Sequence, residues 1–235
     1  MKLFKVLTQL MVIVCYLFSV SVLAETKKEA YRTDLPDVLD QSGWELALDR
    51  DGIQIFTRDW PGSNFVAIKA VQKIHSPLSN IVGNFSDIES FPEWVKDMKN
   101  AYVIEPFNES RSRKIYMRMG LPWPLQDREM ISNQEQTQDA LTKIVKIREW
   151  YDGDTIPPTD GVIRIQRSNT EFVLIPEDKN LTKMVWQGHN EPGGLIPSFL
   201  VNWIVEDVLH TSMMTMKNRF EAPEFHKEAD WVANF

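Results

Sequence analysis

Residues 189–207, HNEPGGLIPSFLVNWIVED, run a Gly-Gly-Leu-Ile-Pro turn straight into a segment in which only Asn202, Glu206 and Asp207 are strongly hydrophilic. A helix this apolar around its circumference must be covered on more than one side. What precedes it says by what. From Ala101 onward the chain alternates with period two over 101–107, 111–121, 127–138, 141–150, 161–167, 170–176 and 181–189, with short turns between, the pattern of an antiparallel meander. Earlier, GIQIFTRDW (52–60) and FVAIKAVQKI (65–74) flank Pro61-Gly62-Ser63-Asn64 and predict a hairpin, while Trp44 to Leu48 reads as a short helix or lead-in. Ser76-Pro77 starts a helix with Leu78, Ile81, Val82 and Phe85 on one face, and Phe91, Trp94, Val95 and Met98 repeat that spacing. The terminal helix, from about Pro197 to Phe220, would be roughly 36 Å long. One strongly curved sheet around that helix is the simplest way to bury it, an α+β architecture.

Residues 1–24 stand apart from this pattern. Lys2 and Lys5 form a basic start, Val6 to Val22 is mostly apolar, and Val22-Leu23-Ala24 precedes Glu25 as a cleavage site would, so the segment reads as a secretory signal peptide. A retained anchor is the competing reading, against which Thr8 and Gln9 interrupt the apolar run. Residues 25–41 then form a polar lead, 42–222 the folded domain and 223–235 a C-terminal tail. Cys15, the single cysteine, lies in the signal, so the exported chain relies on its core alone. Without the two signal lysines, 24 basic residues face 33 acidic ones, a formal charge of −9. That argues against a nucleic-acid partner and against tight docking on an anionic membrane. The expectation is a periplasmic or secreted monomer.

Strand parity indicates what the sheet encloses. Ile115, Met117 and Met119 share one face and Lys114 and Arg118 the other, so the first set faces inward. If Met130 is inside, Arg128, Ser132 and Gln134 point the same way, and Val145 and Ile147 likewise oppose Lys146 and Arg148. Methionines beside Ser132 and Gln134 suit a cavity whose polar groups are satisfied by a guest. A packed core with internally paired polar residues is the alternative that parity leaves open.

Pro122-Trp123-Pro124-Leu125-Gln126-Asp127-Arg128-Glu129, then Gly161-Val162-Ile163-Arg164, Pro176, and Pro192-Gly193-Gly194-Leu195-Ile196-Pro197 with Asn202 beyond, resemble the ordered landmarks of the StAR-related lipid transfer (START) domain. Trp44, Asp51 to Arg58 and Trp94 fit the same scheme, so the resemblance spans about residues 42–221. It implies the helix-grip fold of START and Bet v 1-like proteins, with a tunnel for one hydrophobic molecule, a lipid or sterol-like guest. In those terms the lining would be Ile115, Met117, Met119, Met130, Ser132, Gln134, Val145, Ile147, Trp150, Trp186 and Trp203. The loop 151–160, with Ile156 and Pro157, would form a flap beside Leu195, and ligand entry there implies transient membrane contact. Relatives often keep an acid and an arginine facing each other inside. Counting along this chain puts Gln134 at the arginine's place and Ile115 near the acid's, which implies a lost ion pair and a more apolar tunnel. Arg128 is expected to be structural and paired with a carboxylate.

A carrier is therefore the expected function, and an enzyme of the wider helix-grip superfamily is the alternative. The chain has no G-x-S-x-G elbow and no phosphate- or dinucleotide-binding fingerprint, and His75, His189, His210 and His226 lack ligand spacing, so no cofactor, metal or catalytic residue is expected. His189 is the one candidate general base, against an ordinary half-exposed histidine. Trp44, Trp60, Trp94 and Trp123 are expected to pack between sheet and helices. Trp231 and Phe235 in the tail are expected to dock back on the body rather than to bind a partner.

Overall fold

A computed structural model describes residues 35–38, 40–121, 123, 125–153, 155–194 and 196–234. Residues 1–34, which include the expected signal peptide and most of the expected polar lead, lie outside the described residues. The elements are β1 (Glu45–Arg50), β2 (Ile53–Arg58), β3 (Ala67–Ile74), α1 (Leu78–Ser86), α2 (Phe91–Trp94), β4 (Met98–Glu105), β5 (Ser112–Met119), β6 (Arg128–Gln138), β7 (Val145–Tyr151), β8 (Ile163–Arg164), β9 (Arg167–Asp178), β10 (Leu181–Glu191) and α3 (Ser198–Glu221). The strands form one sheet in the order β1-β2-β3-β10-β9-β7-β6-β5-β4. The expected meander runs from β4 to β10 and is joined to the β2–β3 hairpin by the β10–β3 pairing.

Three elements differ from the sequence reading. Residues 45–50 are strand β1 and not a helix, because Asp51-Gly52, both at positive φ (55° and 75°), make a two-residue turn that folds the segment onto β2. The stretch 161–167 gives only the two-residue β8, which pairs parallel with β6 at Arg128–Glu129. The helix expected from Phe91 to Met98 ends at Trp94, and Met98 opens β4.

Helix α3 lies across the concave face of the sheet. Leu209, Met213 and Phe220 are buried along its sheet side. Gln72 donates to the Met213 carbonyl at 3.2 Å, Asn202 accepts from the Val66 N–H at 3.4 Å and donates to the Asn64 carbonyl at 3.2 Å, and Glu221 accepts from the His75 N–H at 2.8 Å. The helix is thus fixed at both ends and in the middle. Its N-terminal half keeps Phe199 74% and Val208 57% exposed, so only part of its apolar surface is covered by the protein itself.

Helix α1 and the C-terminal tail plug one end of the sheet. The Lys227 N–H donates to Asn80 at 2.8 Å, the Ala229 N–H to the Ser79 carbonyl at 3.2 Å and the Ala233 N–H to Gln138 at 2.9 Å, while Ala229 and Val232 join the core. A Cβ at Gly83 would sit 2.2 Å from the Lys227 carbonyl oxygen, so glycine is what lets the tail approach α1. Trp231 docks back on the body, as its position suggested; Phe235 lies outside the described residues.

Candidate functional site

Register settles which residues face α3. Trp186 pairs with Ala70 and Phe172, Phe172 with Ile147, Gln134 with Glu149 and Arg113, and Met117 with Met130. The concave face therefore carries Arg113, Ile115, Met117 and Met119 on β5, Met130, Ser132, Gln134 and Gln136 on β6, Val145, Ile147, Glu149 and Tyr151 on β7, Phe172 and Leu174 on β9, and Met184 and Trp186 on β10. This face is packed unevenly. Ile74, Val145, Ile147, Leu174 and Met184 are all fully buried, closed off by Phe85 of α1 and Phe220 of α3. Met119, Met130, Glu149 and Trp186 point to the same interior and keep accessible surface.

Glu149 is the decisive residue. It lies deep enough that burial pushes its carboxyl above the usual carboxylate range, yet it is not sealed off. Its carboxyl thus lies among interior-facing side chains while part of the residue stays accessible. Gln134 donates to its Oε1 at 2.6 Å, and Arg113 Nε donates to the Gln134 Oε1 at 2.7 Å. The remaining Arg113 donors go to the Ser86 and Phe85 carbonyls at 2.7 and 3.1 Å, and burial lowers its guanidinium to about 10, still charged at neutral pH. Positions 134 and 115 carry Gln and Ile, and no direct ion pair between Arg113 and Glu149 is present among the described residues; an arginine and an acid do share this face at other positions, linked through Gln134. Ser132 Oγ, fully buried on the same face, has no hydrogen-bond partner among the described residues.

No family model matches the chain. It is 27% identical over 178 residues to an uncharacterised protein of Pseudomonas aeruginosa, covering 76% of this chain and 87% of that one. To bovine phosphatidylcholine transfer protein it is 21% identical over 173 residues, covering 72% and 80%. Among solved structures, the STAR-related lipid transfer protein fragment of Xanthomonas axonopodis superposes with a TM-score of 0.70 at 23% identity, over 77% of this chain and 99% of that one. Human STARD10 does so with a TM-score of 0.70 at 17% identity, over 79% and 80%. The fold is that of a START domain.

Within this START fold, the lining set drawn from sequence divides. Ile115, Met117, Met119, Met130, Ser132, Gln134 and Trp186 share the interior face. Val145 and Ile147 share it too, but in the packed half, where they are core. Trp150 is on the opposite face, between inward Glu149 and Tyr151, and pairs with Asn133 and Asn169. Leu195 and the Trp203 side chain lie outside the described residues. Ile156 and Pro157 are on a loop held down on the outer face. Arg164 donates to their carbonyls, both at 3.2 Å, and forms a buried ion pair with Glu129 at 2.8 Å. Glu129 also accepts from the Thr159 N–H at 3.0 Å and from Tyr116 Oη at 2.9 Å.

Arg128 is structural, but its partners are carbonyls and not a carboxylate. It donates to Pro192 and Gly193, at 2.9 and 3.2 Å, and to Gln126 at 2.5 Å, and so bridges the β5–β6 and β10–α3 segments. Trp123, expected in the interior, is 93% exposed on the first of these segments. His189 is fully buried on the outer face and stacks on Trp60 at 4.9 Å; burial lowers its pKa. It is neither half-exposed nor within reach of the interior space. Arg113 and Glu149 were missed by the sequence reading although parity carries both, two residues before Ile115 and two after Ile147.

Proposed function

We propose that this protein is a carrier that encloses one hydrophobic molecule between the concave sheet face and α3, with the guest's polar end at Glu149. The observation that carries this reading is a carboxyl group both deep and accessible, on a face lined by Met119, Met130 and Trp186. Methionine lining adapts to a flexible guest, and a tail of fourteen carbons gains on the order of 11 kcal/mol on burial, at about 0.8 kcal/mol per CH₂. The lipid-transfer names of the similar proteins support lipid as the ligand class.

The polar groups favour a particular head. Arg113 has its donors committed to Gln134, Ser86 and Phe85, which leaves Glu149 and the partnerless Ser132 hydroxyl to meet the guest. A hydroxyl, amide or amine suits them, and a phosphate does not. We read the chain as a binder and not an enzyme, acting after export into the periplasm. Release of so apolar a guest needs a membrane or partner surface. Trp123, Leu125 and Phe199, exposed by 93%, 42% and 74% on the segments that Arg128 bridges, suit transient contact with a bilayer.

Transfer of fluorescent lipids between neutral vesicles tests this. A long-chain alcohol or ceramide analogue is expected to move catalytically with protein and a phosphatidic acid analogue at the background rate. Equal transfer of both, or of neither, contradicts the assignment.

A further inference from the structure

A pocket of about 430 Å³ opens to the surface at the plugged end of the sheet, between α1, the start of β5, Phe107 and the tail. Its wall is cationic and aromatic. The Arg111 guanidinium lies 4.7 Å from the Phe107 ring centre and 4.0 Å from that of Trp231, with Arg113 behind at 4.3 Å from Phe107. The charges nearby are spoken for, with one exception. Lys227 pairs with Asp87, Glu228 with His226, and Arg113 uses its donors inward. Arg111 has no carboxylate partner among the described residues.

The way Arg111 is held is also unusual. Its backbone is left-handed, with φ of 55°, which is uncommon for a residue other than glycine or asparagine. Two ring faces and a single hydrogen bond hold its guanidinium. One Nη donates to Gln136 at 3.3 Å, while its buried Nε and the buried indole N–H of Trp231 have no acceptor among the described residues. A planar fork of donors, oriented by aromatic faces and unneutralised at the rim of a pocket, is the arrangement that receives an oxyanion.

We infer that this pocket binds a small oxyanion, a carboxylate or phosphate group, through Arg111 clamped between Phe107 and Trp231. The site is also wired to the interior. Arg111 donates to Gln136, Gln136 to Gln134 at 3.3 Å, and Gln134 to Glu149 at 2.6 Å. An anion that draws Arg111 off Gln136 alters the amide relay behind Glu149, so anion and interior guest are expected to influence each other's affinity reciprocally. That last consequence rests on the carrier reading; the anion site itself does not.

The test follows the Trp231 indole N–H by NMR in the full chain. Inorganic phosphate and benzoate, titrated at constant ionic strength, are expected to shift it saturably, with half-saturation in the millimolar range or below. Arg111→Asn, which removes the charge and tolerates the left-handed backbone, is expected to abolish saturation while far-UV circular dichroism stays unchanged. Trp231→Phe, followed by calorimetry, retains the clamp and is expected to weaken binding no more than about tenfold. If phosphatidylglycerol vesicles shift the signal and the free anions do not, the oxyanion is a lipid headgroup. A linear, non-saturating response to all of these, or an equal response in Arg111→Asn, overturns the site. Failure of lipid transfer with a saturable anion response would overturn the carrier reading alone.

Discussion

The two ends of the concave face differ in how they are filled. Toward the C-terminus of α3, large inward residues from several strands interlock with Phe85, Phe220 and the tail, and Ile74, Leu174 and Met184 are all 0% exposed. Toward the N-terminus of α3 the same strands contribute Met119, Met130, Trp186 and Glu149, all of which keep accessible surface. Strand pairing is continuous across both, so the difference comes from side chains and from what lies over them. One end is a protein core. The other keeps its inward side chains partly accessible, and in the carrier reading a guest covers them and meets the polar relay.

This contrast can be broken by substitution. The largest effect is expected at the frame around the open end. Arg164→Ala leaves Glu129 buried without its cation and should cost about 3 to 5 kcal/mol in urea unfolding, which would show that the openness is not general looseness. Next, Leu174→Ala at the plugged end should cost about 2 to 5 kcal/mol, whereas Met130→Ala at the open end should cost less than about 1 kcal/mol. Equal losses at the two sites would mean that both ends are packed alike.

Glu149→Gln sharpens the comparison through pH. Burial holds the Glu149 carboxyl above its ordinary range, so the folded chain keeps a proton that the unfolded chain releases. Stability from this group is full below the unfolded glutamate pKa of about 4.3 and is lost as pH rises through the higher folded value. The amide variant should therefore melt modestly higher than the parent at pH 7 to 8, with the difference closing near pH 4, and should carry less guest. A variant that melts lower at neutral pH would mean the carboxylate stabilises the fold. The smallest effect is expected at the exposed rim: Trp123→Ala should change stability by less than about 0.5 kcal/mol yet reduce co-sedimentation with neutral vesicles.

Much of this was legible by counting in twos. Parity placed Ile115, Met117, Met130 and Gln134 on one face, and the same count continued by one step reaches Arg113 and Glu149. Trp150 was misplaced because residue type overrode parity; an aromatic side chain beside a cavity is an attractive lining residue whichever way its strand turns it. The unevenness of the interior was not legible, since Val145 and Met130 follow the same alternation and only the positions of α1 and the tail decide which is sealed. Loops carried the least signal. Trp123 and the Ile156–Pro157 segment follow no period, and their exposure or anchoring depends on long-range partners such as Arg128 and Arg164 that have no local signature.

The account turns on whether the open end holds a guest. Native mass spectrometry of the protein purified from its own host, beside Met130→Trp and Met119→Arg, measures this directly. The parent is expected to carry a lipid-sized adduct and both variants to have lost it with unchanged far-UV circular dichroism. An adduct of the same mass and occupancy in all three, or a parent that neither carries nor takes up any lipid, would mean that side chains fill this interior and that the carrier assignment is wrong.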